Sequence, residues 1–110
     1  MQKLVLYQKV YDFMLYIFPI IDRFPKYEKF ALCTELKNTI LKLHTLTIRA
    51  NKSKRKKQGA YEIDICLEEL RMLIRFSHDR KYLSKKSYEH SSKLLLEIGK
   101  ILGGWIKTMG

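Results

Sequence analysis

The chain is 110 residues long, 46% of them hydrophobic, with two prolines and five glycines. That is the length of one domain, and the composition is neither disordered nor fibrous. The 22 lysines and arginines stand against 11 aspartates and glutamates, a net charge of +11, which favours anionic partners and says nothing of fold.

The first segment places Leu4, Tyr7, Tyr11, Met14, Phe18 and Ile21 at steps of three and four, the spacing of one helix face. Pro19 sits inside that pattern and should kink the helix or end it early. The apolar run 13–21 is far shorter than the roughly 20 residues a membrane span needs. Met1-Gln2-Lys3-Leu4 carries no secretory pattern, so a cytoplasmic location is expected.

Pro25 suits the first turn of a second helix, where its missing N–H matters little. Cys33, Leu36, Ile40, Leu43, Thr47 and Ala50 form the apolar or small stripe of that helix. Residues 51–59 then break the pattern with Asn, Ser and Gly, as a connection does. A third stripe follows in Ile63, Leu67, Leu70, Ile74 and Ser77, and a fourth in Tyr88, Ser91, Leu95, Ile98, Leu102 and Trp105. Ser84 is a good N-cap for the fourth helix. Cys33 and Cys66 fall among helical apolar positions and read as reduced core residues.

Four helices joined by short connections must return antiparallel. The expected fold is all-α, one up-down-up-down four-helix bundle over 1–110, with helices at about 3–22, 26–51, 60–80 and 84–108. Its length should be roughly 30 Å. Ile17, Leu32, Leu41, Cys66, Leu73, Leu94 and Ile101 flank the stripes, more apolar surface than one small core holds, so some is expected to face another chain.

No catalytic constellation is legible. His44, His78 and His90 lie on different segments, without the spacing that holds a metal. His78 and Asp79 are adjacent on a helix and do not face each other; Asp79 is expected to pair back to Arg75. The glycines lack the strand that a nucleotide-binding loop requires. The chain is not expected to be an enzyme, and no cofactor or metal is expected.

The basic segment Lys52-Ser53-Lys54-Arg55-Lys56-Lys57 is the leading candidate site. It lies in a stretch without acidic residues between Glu35 and Glu62. Five cations in six residues repel one another unless an anion neutralises them, and a phosphate backbone does so by counterion release. Arg71 and Arg75, like charges four apart, are a second candidate, with Glu68 and Asp79 placed to offset them. Few aromatics accompany the basic segment, so base stacking is not expected on it. Near the end, Gly103 and Gly104 are costly inside a helix. They are either a helix cap, with Trp105 folded back on the core, or a bare strip where another subunit packs with Trp105 as its anchor.

An ordered set of motifs resembles one family. Phe24-Pro25-Lys26, Leu70-Arg71 with Arg75-Phe76-Ser77-His78-Asp79, Ser84 with Tyr88-Glu89, and Ile98-Gly99 with Leu102-Gly103-Gly104-Trp105 resemble the accessory variability determinant proteins of diversity-generating retroelements. The likeness runs over residues 11–107. The family is related to the four-helix proteins encoded in intervening sequences of large-subunit ribosomal RNA genes, which share the Phe-Pro-Lys opening. Those typically end the second helix in Asn-Ile-Ala-Glu-Gly, whereas this chain reads Leu46-Thr47-Ile48-Arg49-Ala50-Asn51-Lys52, which favours the retroelement branch. The resemblance implies a homopentameric barrel that binds the element's reverse transcriptase and nucleic acid, supporting mutagenic copying of template RNA into cDNA without catalysis of its own. The alternatives are an intervening-sequence type of protein, and a basic protein-interaction bundle that does not bind nucleic acid.

Overall fold

The computed structural model describes residues 2–109, with side chains from Val5 to Met109, so Leu4 of the first stripe lies outside the described side chains. The described residues form four α-helices: α1 (Gln2–Ile21), α2 (Leu32–Lys52), α3 (Lys56–Asp79) and α4 (Lys85–Thr108). No strand occurs among the described residues. Each helix packs on its chain neighbours, and α1 closes the ring on α4. Contacts run in opposite directions at every seam. Tyr7 meets His44 while Cys33 Sγ donates to the Ile21 carbonyl. Arg71 reaches Leu95 while His78 stacks on Tyr88, and Tyr16 meets His90 while Lys9 pairs with Glu97. This is an antiparallel four-helix bundle.

The extents are 44 × 24 × 19 Å. The long axis exceeds the expected 30 Å because α3 and α4 each run 24 residues, about 36 Å at 1.5 Å per residue.

The expected stripes of α2 and α3 are buried in full, and that of α4 from Ser91 to Trp105. The stripe of α1 is rotated from expectation. Leu6, Val10, Phe13, Ile17 and Ile21 are buried, while Tyr7 and Tyr11 are exposed and Met14 and Phe18 are half-buried. The helix is apolar nearly all round, so two stripes compete, and the tyrosines keep their hydroxyls in water on the outer one. Pro19 occupies the last turn and α1 ends two residues beyond it.

Helix α2 does not open at Pro25. That residue precedes a short 3-10 turn, Lys26–Glu28, and the chain bends again before Leu32. None of residues 26–31 is buried, so no apolar face holds them as α-helix. Helix α3 ends in a left-handed residue, Lys81 at φ 68°, with the Lys81 N–H donating to His78 O and the Tyr82 N–H to Ser77 O, a Schellman closure. Ser84 caps α4 as expected, its hydroxyl accepting from the Ser87 N–H at 3.1 Å. Both cysteines are free and buried, and burial raises their thiol pKa values.

His44 sits against the Tyr7 ring at 4.5 Å, and its buried Nε2 has no hydrogen-bond partner. Burial lowers its pKa from 6.5, so the fold prefers the neutral ring while the unfolded chain takes up a proton. The contribution of His44 is therefore complete above about pH 6.5 and lost as pH falls below it. Thermal melts from pH 7.5 to 5 should show wild type losing stability relative to His44→Leu; parallel curves would refute this.

Candidate nucleic-acid interface

The connection between α2 and α3 is only three residues long, 53–55, because Lys56 organises it. Its ammonium donates to the carbonyls of Ser53 at 2.8 Å, Asn51 at 3.0 Å and Ala50 at 3.3 Å. These are end carbonyls of α2, which have no helical partner and carry the negative end of its dipole. The Ser53 hydroxyl accepts from the Arg55 N–H at 3.0 Å and tightens the turn. Gly59 completes it: a Cβ there would stand 3.0 Å from that of Ala50, so the two helices close together below this point.

The basic segment is therefore not one loop. Lys52 ends α2, Lys54 and Arg55 form the turn, and Lys56 and Lys57 open α3, four residues earlier than expected. Lys56 is committed to the fold. Lys52, Lys54, Arg55 and Lys57 are exposed, as is Arg49 one turn back on α2, and no carboxylate lies within 4 Å of them among the described residues. Arg49 and Arg55 line a shallow cleft of about 210 Å³ between the helices; Glu62, on its far rim, is the one acid there. Lys107, at the end of α4, joins this end of the bundle by topology.

Arg71 and Arg75 are elsewhere. Arg71 lies fifteen residues beyond Lys56, about 22 Å up α3. Its guanidinium pairs with Glu68, and its Nη2 lies 3.5 Å from the Leu95 carbonyl of α4. It fills the space beside Gly99, where a Cβ would stand 2.5 Å from Nη2. Arg71 is a strut between helices. Arg75 is exposed and faces Asp79 at 3.8 Å, the pairing expected from the sequence.

Gly103 and Gly104 are inside α4, which continues to Thr108, so they do not cap it. Trp105 is 8% exposed and packs in the chain's own core, which removes it as a surface anchor. The space a Cβ on Gly103 would occupy is open to 4 Å. Gly103 shares a face of α4 with Ser92 and Leu96, which border an α3–α4 groove of about 540 Å³ that also exposes Met72. On α3, Tyr61, Ile65, Met72 and Phe76 form an outward apolar stripe at helical spacing.

Sequence reasoning missed the opposite end. The antiparallel topology brings 22–31 together with 80–86, and with them Arg23, Lys26, Lys29, Arg80, Lys81, Lys85 and Lys86. The signal was present as two separate cation-rich turns that share an end once the helices are ordered. The three histidines remain apart, and no described cluster of His, Cys, Asp or Glu could hold a metal ion. Among the described residues no helix is long and apolar enough to cross a membrane.

The bAvd-like family model matches residues 4–109, nearly the whole bundle. The chain belongs to the bAvd-like family. No curated protein matches its sequence. In this bAvd-like bundle the motif residues serve the scaffold first: Phe24, Leu70, Ser77, Leu102 and Trp105 are buried, and Ser84 caps.

Lys56→Ala should remove the α2 cap and cost about 1 kcal/mol, whereas Lys54→Ala and Arg55→Ala should stay within about 0.5 kcal/mol of wild type. Urea midpoints at constant m-value decide this. Equal effects at the three positions would contradict the cap.

Proposed function

We propose that this chain is a non-enzymatic accessory protein of a diversity-generating retroelement. It acts in the cytoplasm, binds the element's reverse transcriptase and its nucleic acid, and supports mutagenic copying of template RNA into cDNA. The observation that carries the reading is the set of exposed cations at the α2–α3 turn, Arg49, Lys52, Lys54, Arg55 and Lys57, with no carboxylate within 4 Å among the described residues, in a chain of the bAvd-like family. Such a set suits phosphate backbone, which is bound by counterion release and needs no base readout. Family membership favours this over the intervening-sequence and protein-interaction alternatives.

We further propose a homopentamer. The outward stripe Tyr61, Ile65, Met72 and Phe76, and the open strip at Gly103 beside Leu96, support it as surface that a second copy would cover. Ring assembly repeats each basic turn five times and turns weak contacts into an avid grip.

Light scattering should give a mass about five times 13.2 kDa. Gly103→Leu meets no atom of its own chain within 4 Å at the Cβ, so a lowered mass in that variant reports an interface at this strip. A wild-type monomer at micromolar concentration would overturn the assembly.

Binding to RNA or DNA should weaken steeply with salt. The triple variant Lys54→Gln, Arg55→Gln, Lys57→Gln spares the Lys56 cap. It should flatten the slope of log K against log salt by about 0.7 for each phosphate of a single strand that it no longer neutralises. Anisotropy across a salt series checks this, and an unchanged slope would remove the turn as the binding site.

A further inference from the structure

The end of the bundle opposite the α2–α3 turn carries exposed aromatic rings among cations that have no carboxylate partner among the described residues. Phe24 is buried, and Tyr82 packs on it with ring centres 5.5 Å apart. Tyr27 meets Tyr82 edge to face at 6.2 Å, and the Tyr82 hydroxyl donates to Glu28 Oε2 at 2.8 Å while accepting from Arg80 Nη2 at 3.0 Å. These contacts, with the Tyr27 hydroxyl 3.3 Å away, fix Tyr82 and its neighbours in place. Tyr27 is 73% exposed on that support, and Phe30, three residues on, is 88% exposed. A phenyl ring left in water forgoes the transfer energy that burial would give, and Phe30 contributes nothing to the core.

The charges around the rings decide what fits there. Asp22 is held by Lys37, Asp79 by Arg75, and Glu28 by the Tyr82 hydroxyl, while Glu89 lines a separate cleft with Arg23 and Lys86. Among the described residues no carboxylate lies within 4 Å of Arg23, Lys26, Lys29, Arg80, Lys81, Lys85 or Lys86. Lys29 Nζ sits 5.5 Å from the Phe30 centroid, and the Arg80 guanidinium 5.5 Å from that of Tyr82. Beside Phe30 opens a groove of about 780 Å³ bounded by Phe24, Pro25, Lys26 and the Asp22–Lys37 pair. An apolar protein surface would cover the rings at the expense of desolvating the lysines, which protein interfaces avoid. A single nucleic-acid strand satisfies both, since phosphates neutralise the cations and unpaired bases offer flat faces to the rings. A duplex keeps its bases stacked inside and cannot reach Phe30.

We propose that this end is a single-strand nucleic-acid site in which Tyr27 and Phe30 stack on bases while Arg23, Lys26, Lys29 and Lys81 hold the phosphates. It rests on the reading that the chain handles nucleic acid, and extends it to a second surface that selects unpaired strands.

The test uses a fluorescein-labelled 12-nucleotide oligo(U) and a 12-base-pair RNA duplex, with Tyr27→Ala/Phe30→Ala and Phe30→Trp in the full chain. Both side chains lie outside the core, and circular dichroism verifies the fold. The double variant should lose about tenfold in oligo(U) affinity, keep its duplex affinity and keep its salt slope. Phe30→Trp should bind oligo(U) as wild type does, with emission from the introduced tryptophan quenched on binding. Unchanged oligo(U) affinity in the double variant, or an unquenched tryptophan, would overturn the stacking site and leave the α2–α3 turn untouched. Intact oligo(U) binding with loss of a co-purifying reverse transcriptase would overturn it in favour of a protein docking face. A wild type that binds neither probe would instead overturn the nucleic-acid reading itself.

Discussion

The inward stripe of α3, Ile63, Leu67, Leu70, Ile74 and Ser77, is the constraint on which the rest of the molecule depends. It is buried throughout, with α2 on one side and α4 on the other. Helices that share such a seam along their whole length need short connections, and short connections need antiparallel neighbours. The turns are then forced to the two ends of a 44 Å body. Because the seam accepts apolar and small residues, the surplus of lysine and arginine is displaced to the outer faces and to those ends. The charge pattern follows from the packing.

The cations divide by what neutralises them. Lys56 is bound to the carbonyls of Ala50 and Asn51 in α2 and of its cap Ser53, Arg71 to Glu68 and the Leu95 carbonyl, and Lys37 to Asp22. These side chains stabilise turns and helix packing, and a ligand would have to compete for them. Among the described residues, Lys54, Arg55 and Lys57 at one end, and Lys26, Lys29 and Lys81 at the other, have no carboxylate partner. A positive residue is a candidate for binding when the fold has no use for its charge.

That division is where the sequence and the structure part. Apolar spacing was enough to find α2, α3 and α4, because in each the residues at steps of three and four are the ones the bundle buries. It misplaced the stripe of α1, where Leu6, Val10 and Phe13 compete with Tyr7, Tyr11 and Met14 and only the fit to α2 and α4 decides. It could not see Lys56 as a cap, since one lysine among five cations is distinguished by a reach back across the turn to α2. Trp105 followed the fourth stripe into the core, yet its glycine neighbours drew attention to it as an anchor. The aromatic end was invisible for a different reason: Tyr27 and Tyr82 are 55 residues apart, and only the antiparallel order joins them.

The two ends also act independently. Antiparallel helices place two N-termini and two C-termini at each end, so their dipoles largely cancel and the field there comes from side chains. Salt screens that field over about 10 Å at 0.1 M, a fraction of the bundle's length. Charges at the α2–α3 turn therefore have little influence on the rings at the other end, and substitutions at the two ends should combine additively. One end carries cations without exposed aromatic neighbours in its turn, the other cations with Tyr27 and Phe30. On the proposed reading, a polyanion meets charge at both ends, and the turn that carries Tyr27 and Phe30 adds exposed rings on which bases can stack.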